Sequence, residues 1–366
     1  MVEVAVMGAG LSGLTCAITL EKNGISPTVF EKRRQVGDRF VNCEILLPVL
    51  TRPIKDPIEY FSEDHGIYLK PTGNISNLII HSQNQSAHIK GHLGFTNTRG
   101  RHPVSFEKQL AGQLKSKIVF GSRYTYRQLL KSFTHVVMAT GDASYAMKVQ
   151  DFRQDLSVTL KGAIVSGDFD PYTVRAWLNN ELAPKGYGYF IPISEKEANI
   201  VIGYPDYPEN KRFNINILWD RFYNDVCRVY RQNLRITDGF EISKYIIGIC
   251  RHPRIGNTFF TGNNFGSIMP FLGFGQFASI YTGIQAARDI CGLDDYEKST
   301  KLLRASYQRS VVLRRTLERM DNNRFDIMVK TLNGSLGNRL FNSDKNLLKT
   351  AGFLLKPLAY KTKRSE

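Results

Sequence analysis

The chain has 366 residues, of which 42% are hydrophobic and 11% aromatic, a composition typical of globular proteins and unlike that of disordered chains. Its formal net charge is +16, and residues 301–366 hold 15 Lys and Arg against 5 Asp and Glu, which predicts an anionic partner such as a membrane surface or an acidic protein. The sequence has no nucleic-acid-binding module, signal peptide or apolar run long enough to span a bilayer, so we expect a cytoplasmic protein without a transmembrane helix.

The N-terminal segment predicts a strand, a glycine-rich turn, a helix and a second strand. Residues 2–7 are apolar, residues 14–23 have helical periodicity, and residues 27–31 form another β-type run. The turn is Gly8-Ala9-Gly10-Leu11-Ser12-Gly13, and the second strand ends at Glu31, followed by Lys32. This strand–turn–helix–strand–acid order predicts a dinucleotide-binding site.

Each part of this motif has a physical role. Gly8 permits the tight turn, Gly10 lets the backbone approach a pyrophosphate, and Gly13 allows close packing of helix on strand. The amides of the first helical turn, at Leu11 and Ser12, face the phosphates. We expect Glu31 to accept hydrogen bonds from ribose hydroxyls and count Lys32 among the cofactor contacts. The motif alone does not distinguish FAD from NAD.

The rest of the chain predicts a second, mostly β-type part. Residues 33–100 hold several prolines and no clear order of elements, residues 106–114 predict a helix, and residues 135–139 predict a strand that ends at Thr140-Gly141-Asp142. Residues 151–250 alternate short β-type runs with a helix at 215–233, which is typical of an inserted antiparallel sheet. A returning strand at 258–262 and a helix at 277–291 precede a helical C-terminus.

Two segments resemble the FAD-contact segments of flavoproteins of the para-hydroxybenzoate hydroxylase type. In the first, a strand ends in Gly141-Asp142; in the second, a strand is followed by Gly262-Asn263, then Pro270 and Gly273-Phe274-Gly275. The resemblance implies that Gly262 and Asn263 hold the ribityl chain and that the Gly-x-Gly faces the pyrimidine edge of the flavin. Asn263 stands where those proteins have Asp; an amide is uncharged and donates as well as accepts.

The same resemblance implies an FAD-contacting arginine just before residue 106. Arg99 and Arg101 both qualify by position, and we assign Arg101.

A narrower resemblance is to the geranylgeranyl reductases, flavoenzymes that saturate isoprenoid chains. Their Tyr-x-Trp-x-Phe-Pro motif corresponds here to Tyr187, Tyr189, Ile191 and Pro192, and an Ala-Asn pair follows at similar spacing. Cys43 resembles the active-site cysteine of the family, although Glu44, Ile45 and Leu46 replace the glycines after it. The resemblance implies that Cys43, Tyr187 and Tyr189 are catalytic. It also implies that Phe190, Ile191 and Pro192 line a lipid cavity beside the flavin.

The five cysteines form no CxxC pair, and neither they nor the seven histidines have the spacing of a metal site, so we expect reduced thiols and no bound metal.

We therefore expect an α/β fold: a Rossmann-type FAD-binding domain, an inserted antiparallel β-sheet substrate domain and a basic helical C-terminal region. The expected ranges are 1–55, 85–150 and 245–295 for the first, 56–84 and 151–244 for the second, and 296–366 for the third.

The implied activity is FAD-dependent reduction of C=C bonds in a prenyl lipid. A single dinucleotide fingerprint implies a transient electron donor, either NAD(P)H or a ferredoxin. Two alternatives stay open: a flavin-dependent monooxygenase or halogenase on the same scaffold, and a non-catalytic flavoprotein relic. Leucines and lysines at 345–364 recur at helical spacing, which predicts a helix that either lies on a membrane surface or packs against the enzyme.

Overall fold

The structure is a computed structural model that describes residues 2–344. The amphipathic stretch predicted at residues 345–364 lies outside these residues. The strands are β1 Val4–Met7, β2 Thr28–Phe30, β3 Asn42–Leu46, β4 Gly73–His81, β5 Ser86–Arg99, β6 Ile118–Val119, β7 His135–Met138, β8 Phe152–Ser166, β9 Thr173–Trp177, β10 Tyr187–Pro192, β11 Glu197–Pro205, β12 Arg235–Cys250, β13 Arg254–Ile255 and β14 Thr258–Phe260. The helices are α1 Leu11–Lys22, α2 Pro48–Thr51, α3 Pro57–Glu63, α4 Phe106–Ala111, α5 Tyr126–Ser132, α6 Ala146–Val149, α7 Ile215–Tyr230, α8 Gln276–Ile290, α9 Tyr296–Leu317, α10 Asn322–Leu332 and α11 Ser335–Phe341.

The first sheet has the order β13-β14-β7-β1-β2-β6, and its strands are parallel except for the β13–β14 hairpin. β1 is buried at all four positions, as expected for a central strand of a parallel sheet covered on both faces. β1 lies between β2 and β7, so β2 and β6 were added on one side of β1, and β7 and β14 on the other. The strand order therefore reverses at β1. Ligands of such sheets bind at this reversal, beyond the carboxyl ends of the strands.

The second sheet has eight strands in the order β12-β8-β11-β10-β9-β4-β5-β3. Its pairs are antiparallel except for β4 with β9. A fully buried aromatic cluster packs α7 against one side of this sheet; it includes Phe190, Trp177 and Phe222. A second cluster holds Ile191 together with Leu317 from α9 and Phe325 and Val329 from α10. The C-terminal helices thus share an apolar core with the second sheet.

The α/β fold class with a Rossmann-like unit, a second sheet and C-terminal helices agrees with the sequence-based expectation. The assignment of residues to sheets differs at β3 and β5, which were expected in the FAD-binding domain but belong to the second sheet. β5 pairs with β4 from Ser86 to Thr96 and with β3 from Phe95 to Arg99. Gly91 and Gly94 interrupt this strand at positive φ, so no regular alternation marks its length in the sequence.

No helix within residues 2–344 combines the length and the apolar character needed to cross a bilayer.

Phe190 lies on the α7 side of the second sheet and was expected in a substrate cavity. Its ring is fully buried and packs against Phe169 and Tyr230, with ring centroids 5.1 and 4.4 Å away. Because neighbouring residues of a strand point to opposite faces, Phe190 and Pro192 point away from the side that bears Tyr187, Tyr189 and Ile191. Phe190 is a core residue, and the cavity assignment does not apply to it or to Pro192.

We predict that Phe190→Ala lowers the free energy of unfolding by about 3–5 kcal/mol, because it leaves an aromatic-sized cavity in this core. Ile217→Ala on α7 is the matched control: Ile217 is 55% exposed, and its truncation is expected to change stability by less than about 0.5 kcal/mol. Urea unfolding of both variants measures the difference. A similar, small loss for the two variants would mean that the aromatic cluster is not packed as described.

Candidate functional site

The carboxyl ends of four parallel strands bring the predicted cofactor segments to one edge of the first sheet. The turn Gly8–Gly13 follows β1, Glu31 follows β2, the Gly141 segment follows β7, and a 3₁₀ helix, Gly262–Asn264, follows β14. Backbone hydrogen bonds tie the ends together: Gly8 donates to the Phe30 carbonyl at 2.8 Å, and Thr261 donates to the Met138 carbonyl at 3.0 Å. Segments far apart in the chain therefore form one continuous rim.

Three glycines of the first turn occupy different environments. Gly8 has φ +111°, and a Cβ there would lie 2.5 Å from the Ala139 carbonyl oxygen; a Cβ on Gly13 would lie 1.9 Å from the Gly8 carbonyl oxygen. Gly10 has open space within 4 Å of the position of a Cβ. Packing within the protein explains Gly8 and Gly13, whereas Gly10 borders open space at the rim.

The open space at Gly10 lies at the start of α1, of which Gly10 is the N-cap residue. The helix begins after Gly10 and has no side-chain N-cap, so no side chain satisfies the amides of its first turn, at Leu11, Ser12 and Gly13. A helix N-terminus of this kind attracts phosphate through its N–H groups and its dipole. The residues present therefore fit the pyrophosphate of a dinucleotide.

Glu31 is held at the neighbouring strand end. One carboxylate oxygen accepts from the Ala9 amide at 2.8 Å and the other accepts from the Arg33 amide at 2.9 Å. Each oxygen keeps a lone pair for a further donor such as a ribose hydroxyl. Lys32 is exposed beside it, and its side chain makes no contact that would fix it on a cofactor.

Asn263 connects the second and third segments. Its amide donates to the Gly141 carbonyl at 2.6 Å and to the Tyr245 hydroxyl at 2.6 Å, and its carbonyl accepts from the Ser267 hydroxyl at 3.1 Å. Asn264 adds a parallel link, because its amide donates to the Thr140 carbonyl at 2.9 Å. Both asparagines thus use donor hydrogens that a carboxylate lacks.

The other residues of these two segments stabilise their own turns. Asp142 accepts from the Ser144 amide at 3.0 Å, which closes a local turn and leaves the carboxylate exposed. Gly262 has φ +58°, and a Cβ there would lie 2.6 Å from the Ser12 hydroxyl. The third segment therefore packs directly on the first turn of α1.

The loop before α8 lies against the β10 tyrosines. Pro270 is buried, Gly273 has φ +73° and is exposed, Phe274 is half-buried, and Gly275 precedes α8 without a side-chain cap. The Tyr187 hydroxyl donates to the Leu272 carbonyl of this loop. The structure thus brings the predicted Gly-x-Gly contact and Tyr187 together.

Tyr189 and Cys43 lie next to the contact between the Tyr187 hydroxyl and the Leu272 carbonyl. The Tyr189 hydroxyl donates to the Asn42 side-chain carbonyl at 3.0 Å, and the rings of Tyr187 and Tyr189 are 6.1 Å apart. Cys43 is buried, and its amide donates to the Asn199 side-chain carbonyl at 2.9 Å. Asn199 belongs to the Ala-Asn pair noted in the sequence, and this bond explains a buried asparagine at that position.

Burial shifts the pKa values of the two tyrosine hydroxyls and the Cys43 thiol. Burial raises the pKa of Tyr187 to about 12 and the pKa of Tyr189 well above its ordinary value. Burial, reinforced by Glu44 and Glu197, raises the pKa of the Cys43 thiol well above its ordinary value. At neutral pH all three groups carry their proton, so Cys43 is not an activated thiolate.

Arg101 pairs with Asp238 of β12 at 2.5 Å and is half-exposed, whereas Arg99 is buried between Glu107 at 2.8 Å and Glu44 at 3.0 Å. Burial alone lowers the pKa of Arg99, but Glu107 and Glu44 reverse this and raise it above its ordinary value. The arginine that the structure buries at this position is therefore Arg99, while Arg101 joins the loop after β5 to β12 of the same sheet.

Several polar residues of this region were missed by sequence analysis. Tyr245 reaches the Gly141 carbonyl and Asn263, and the charges that act on its hydroxyl come from Arg39, Glu44, Arg99 and Asp142. Arg39 has no salt bridge to a carboxylate within the described part of the chain and lies over the Phe40 ring at 4.3 Å. Burial, followed by Arg99, lowers its pKa. No pattern at short spacing marks these residues in the sequence, because Arg39 precedes β3 and Tyr245 lies in β12.

The expected lipid cavity coincides with neither of two clefts on the surface of residues 2–344. A cleft of about 740 Å³ between α3 and the ends of β4 and β9, and another of about 280 Å³ beside Lys185 and Arg315, are lined by other residues. Tyr187, Tyr189 and Ile191 instead pack in the apolar cluster shared with the C-terminal helices. Entry of a lipid chain there requires these helices or side chains to move.

Comparison with known proteins identifies the fold. Residues 6–44 match the NAD(P)-binding Rossmann-like domain family. No curated protein sequence matches the chain significantly. A geranylgeranyl bacteriochlorophyll reductase-like protein from Thermoplasma acidophilum superimposes with a TM-score of 0.69 at 16% identity, covering 99% of this chain and 96% of that one.

Two other solved structures are similar over comparable lengths. The flavin-dependent brominase Bmp2 has a TM-score of 0.64 at 14% identity, covering 97% of this chain and 99% of its own. PqsL of Pseudomonas aeruginosa, in complex with 2-aminobenzoylacetate, has a TM-score of 0.61 at 17% identity, covering 90% and 100%. At these identities the comparisons establish that the chain shares the fold of these proteins.

The Asn263 link generates a stability prediction. Asn263→Asp removes the donor to the Gly141 carbonyl and places a carboxylate against that oxygen, so we expect the ligand-free protein to lose about 1–2 kcal/mol of unfolding free energy. Asn257→Asp is the control. It removes an exposed hydrogen bond from the side-chain amide to the Thr134 carbonyl, and water can replace that bond. Chemical unfolding compares them; equal stability of both variants and the wild type would show that the Asn263 bonds do not hold the two segments.

Proposed function

We propose that the chain binds FAD across the carboxyl edge of the first sheet. The observation that carries the proposal is the uncapped helix start beside Gly10, where a Cβ would meet open space while the other two glycines of the turn are tightly packed. The amides of α1 would hold the pyrophosphate, Glu31 would hold the ribose, and Gly141 and Asn263 would hold the ribityl chain. The shared fold with flavin-dependent proteins supports FAD over a nicotinamide dinucleotide as the resident cofactor.

We further propose that the protein reduces C=C bonds of a prenyl lipid. The similarity to a reductase-like protein and the sequence resemblance of residues 187–192 support this assignment. The apolar cluster that contains Tyr187, Tyr189 and Ile191 adjoins the loop of Gly273 and supplies a surface for an isoprenoid chain. Reduced flavin supplies the hydride.

The chain's own residues supply a proton and exclude water. An unactivated alkene accepts hydride poorly, so one carbon must be protonated as the other is reduced. Tyr187, Tyr189 and Cys43 all carry their protons at neutral pH, as they would in water, and burial raises their pKa values further. The tyrosine faces also stabilise positive charge that develops on the alkene.

The partners follow from the same proposal. The electron donor, NAD(P)H or a ferredoxin, binds transiently. The basic C-terminal region places the enzyme at an anionic membrane surface, where its lipid substrate resides.

A second function is favoured by a specific observation: the brominase and PqsL share the fold over nearly the whole chain. On this alternative the chain is a flavin-dependent monooxygenase or halogenase. The two functions differ in the product, because a reductase adds two hydrogens per bond, whereas a monooxygenase adds oxygen and a halogenase adds halogen. A flavoprotein relic forms none of these products.

We predict that Gly10→Val abolishes FAD binding and leaves the fold intact, because its side chain meets no protein atom and enters only the space through which a pyrophosphate must approach the backbone. Gly13→Val is the matched control: its side chain collides with the Gly8 carbonyl, and the variant is expected to misfold. Flavin absorbance after desalting, together with far-UV circular dichroism, measures both effects. A folded Gly10→Val protein with a full complement of FAD would contradict the assigned site.

We predict that at least one of Tyr187→Phe, Tyr189→Phe and Cys43→Ala lowers turnover of a prenyl lipid about 100-fold or more, the typical contribution of a positioned proton donor. The FAD dissociation constants of the same variants are expected to stay within a few-fold of wild type. Anaerobic assays with chemically reduced protein and mass spectrometry of the lipid provide the measurement. Wild-type turnover in all three variants would remove these side chains from the proton path.

A further inference from the structure

A β-bulge in β12 directs the side chain of Tyr245 towards the predicted cofactor site. The pairing of β12 with β8 shifts register between Ile242 and Tyr245, and Lys244 within this bulge has φ +55°. A non-glycine residue rarely adopts this left-handed conformation, and bulges with such residues often re-aim a side chain beside a functional site. The bulge turns Tyr245 away from its own sheet and towards the rim of the first sheet.

The Tyr245 hydroxyl occupies the place expected for the ribityl chain. It donates to the Gly141 carbonyl at 3.3 Å and accepts from the Asn263 amide at 2.6 Å. A sugar-alcohol hydroxyl also donates and accepts at once, so Tyr245 reproduces the hydrogen bonds that a ribityl hydroxyl makes with these two groups.

The donors of Asn263 are fully used in this arrangement. Its amide has two hydrogens, which go to Gly141 and Tyr245, and its carbonyl already accepts from Ser267. A ribityl hydroxyl can therefore accept a hydrogen bond from the Asn263 amide only when the bond to Tyr245 or the bond to Gly141 is broken. Gly141 is part of the rim itself, whereas Tyr245 belongs to the other sheet and is free to withdraw.

We propose that Tyr245 is a latch that closes the ribityl groove of the ligand-free protein and is exchanged for the cofactor when FAD binds. This inference rests on the proposed FAD site. The position of β12 makes the exchange possible, because it lies at one end of the strand order and pairs within the second sheet with β8 alone. If the bulge moves away from the first sheet, the only strand pairing it disturbs is the one with β8.

The latch makes cofactor binding and the contact between the two sheets mutually exclusive at this point. Tyr245 and Asn263 join β12 to the edge of the first sheet, whereas the Arg101–Asp238 ion pair joins β12 to the loop after β5 of its own sheet. FAD binding replaces the first contact and leaves the second, which lies within the second sheet. The flavin-bound protein is thus expected to have a more mobile bulge at residues 243–245 than the ligand-free protein.

Tyr245→Phe tests the latch, because it keeps the ring and removes the competing hydroxyl. We expect FAD to bind the stripped variant roughly fivefold more tightly than stripped wild type, the effect of one hydrogen bond of average net strength. The ligand-free variant is also expected to melt at a lower temperature. Tyr223→Phe is the matched control: it removes a hydroxyl bond to the Leu234 carbonyl in the α7 layer and should lower stability without changing FAD affinity.

The outcomes separate the latch from the site itself. If stripped wild type, Tyr245→Phe and Tyr223→Phe all fail to bind FAD while folded, the proposed FAD site is wrong. If wild type binds and Tyr245→Phe binds equally or more weakly, the site stands and the latch is refuted. Hydrogen exchange at residues 243–245 gives an independent reading: faster exchange on adding FAD to wild type supports the latch, and slower exchange contradicts it.

Discussion

The close contact between Gly8, Gly13 and Ala139 is the constraint on which the site depends. A side chain on Gly8 would strike the Ala139 carbonyl, and one on Gly13 would strike the Gly8 carbonyl. Only without these side chains can α1 start directly against the ends of β1 and β7. This approach places the uncapped helix start at the point where the strand order reverses, and every other candidate contact is arranged around it.

A second layer of contacts joins chain segments that sequence separates by more than a hundred residues. Asn263 and Asn264 donate to the consecutive carbonyls of Gly141 and Thr140, so the third segment holds the second through amide hydrogens. Within the second sheet, the side-chain carbonyl of Asn199 accepts from the Cys43 amide and so holds that backbone. Amides suit the positions of Asn263 and Asn199 because each donates to one neighbour and accepts from another, which a carboxylate at neutral pH does not do.

The sequence predicts local structure well where one element determines it. The βαβ unit, the helix of α7 and the helix of α8 follow from periodicity and glycine positions, and the structure contains each of them close to the expected bounds. The opposite orientation of Phe190 was also available from the sequence, because period-two alternation in Tyr187–Pro192 separates it from both tyrosines. The membership of β3 and β5 in the second sheet was not, because pairing depends on partners far along the chain.

The same limit explains the residues that were missed. Tyr245 reaches the first sheet through a bulge whose register shift exists only relative to β8, and Arg99 is distinguished from Arg101 by burial between two glutamates from other elements. Neither fact leaves a pattern at short spacing.

The central claim is that one FAD spans the carboxyl edge of the first sheet, and a crystal structure of the protein grown with FAD tests it most directly. The account predicts pyrophosphate density over Gly10 at the start of α1, ribose density at Glu31, and ribityl density between Gly141 and Asn263, with the Tyr245 hydroxyl displaced. FAD bound elsewhere, or the absence of FAD density over Gly10 at saturating FAD, would contradict it.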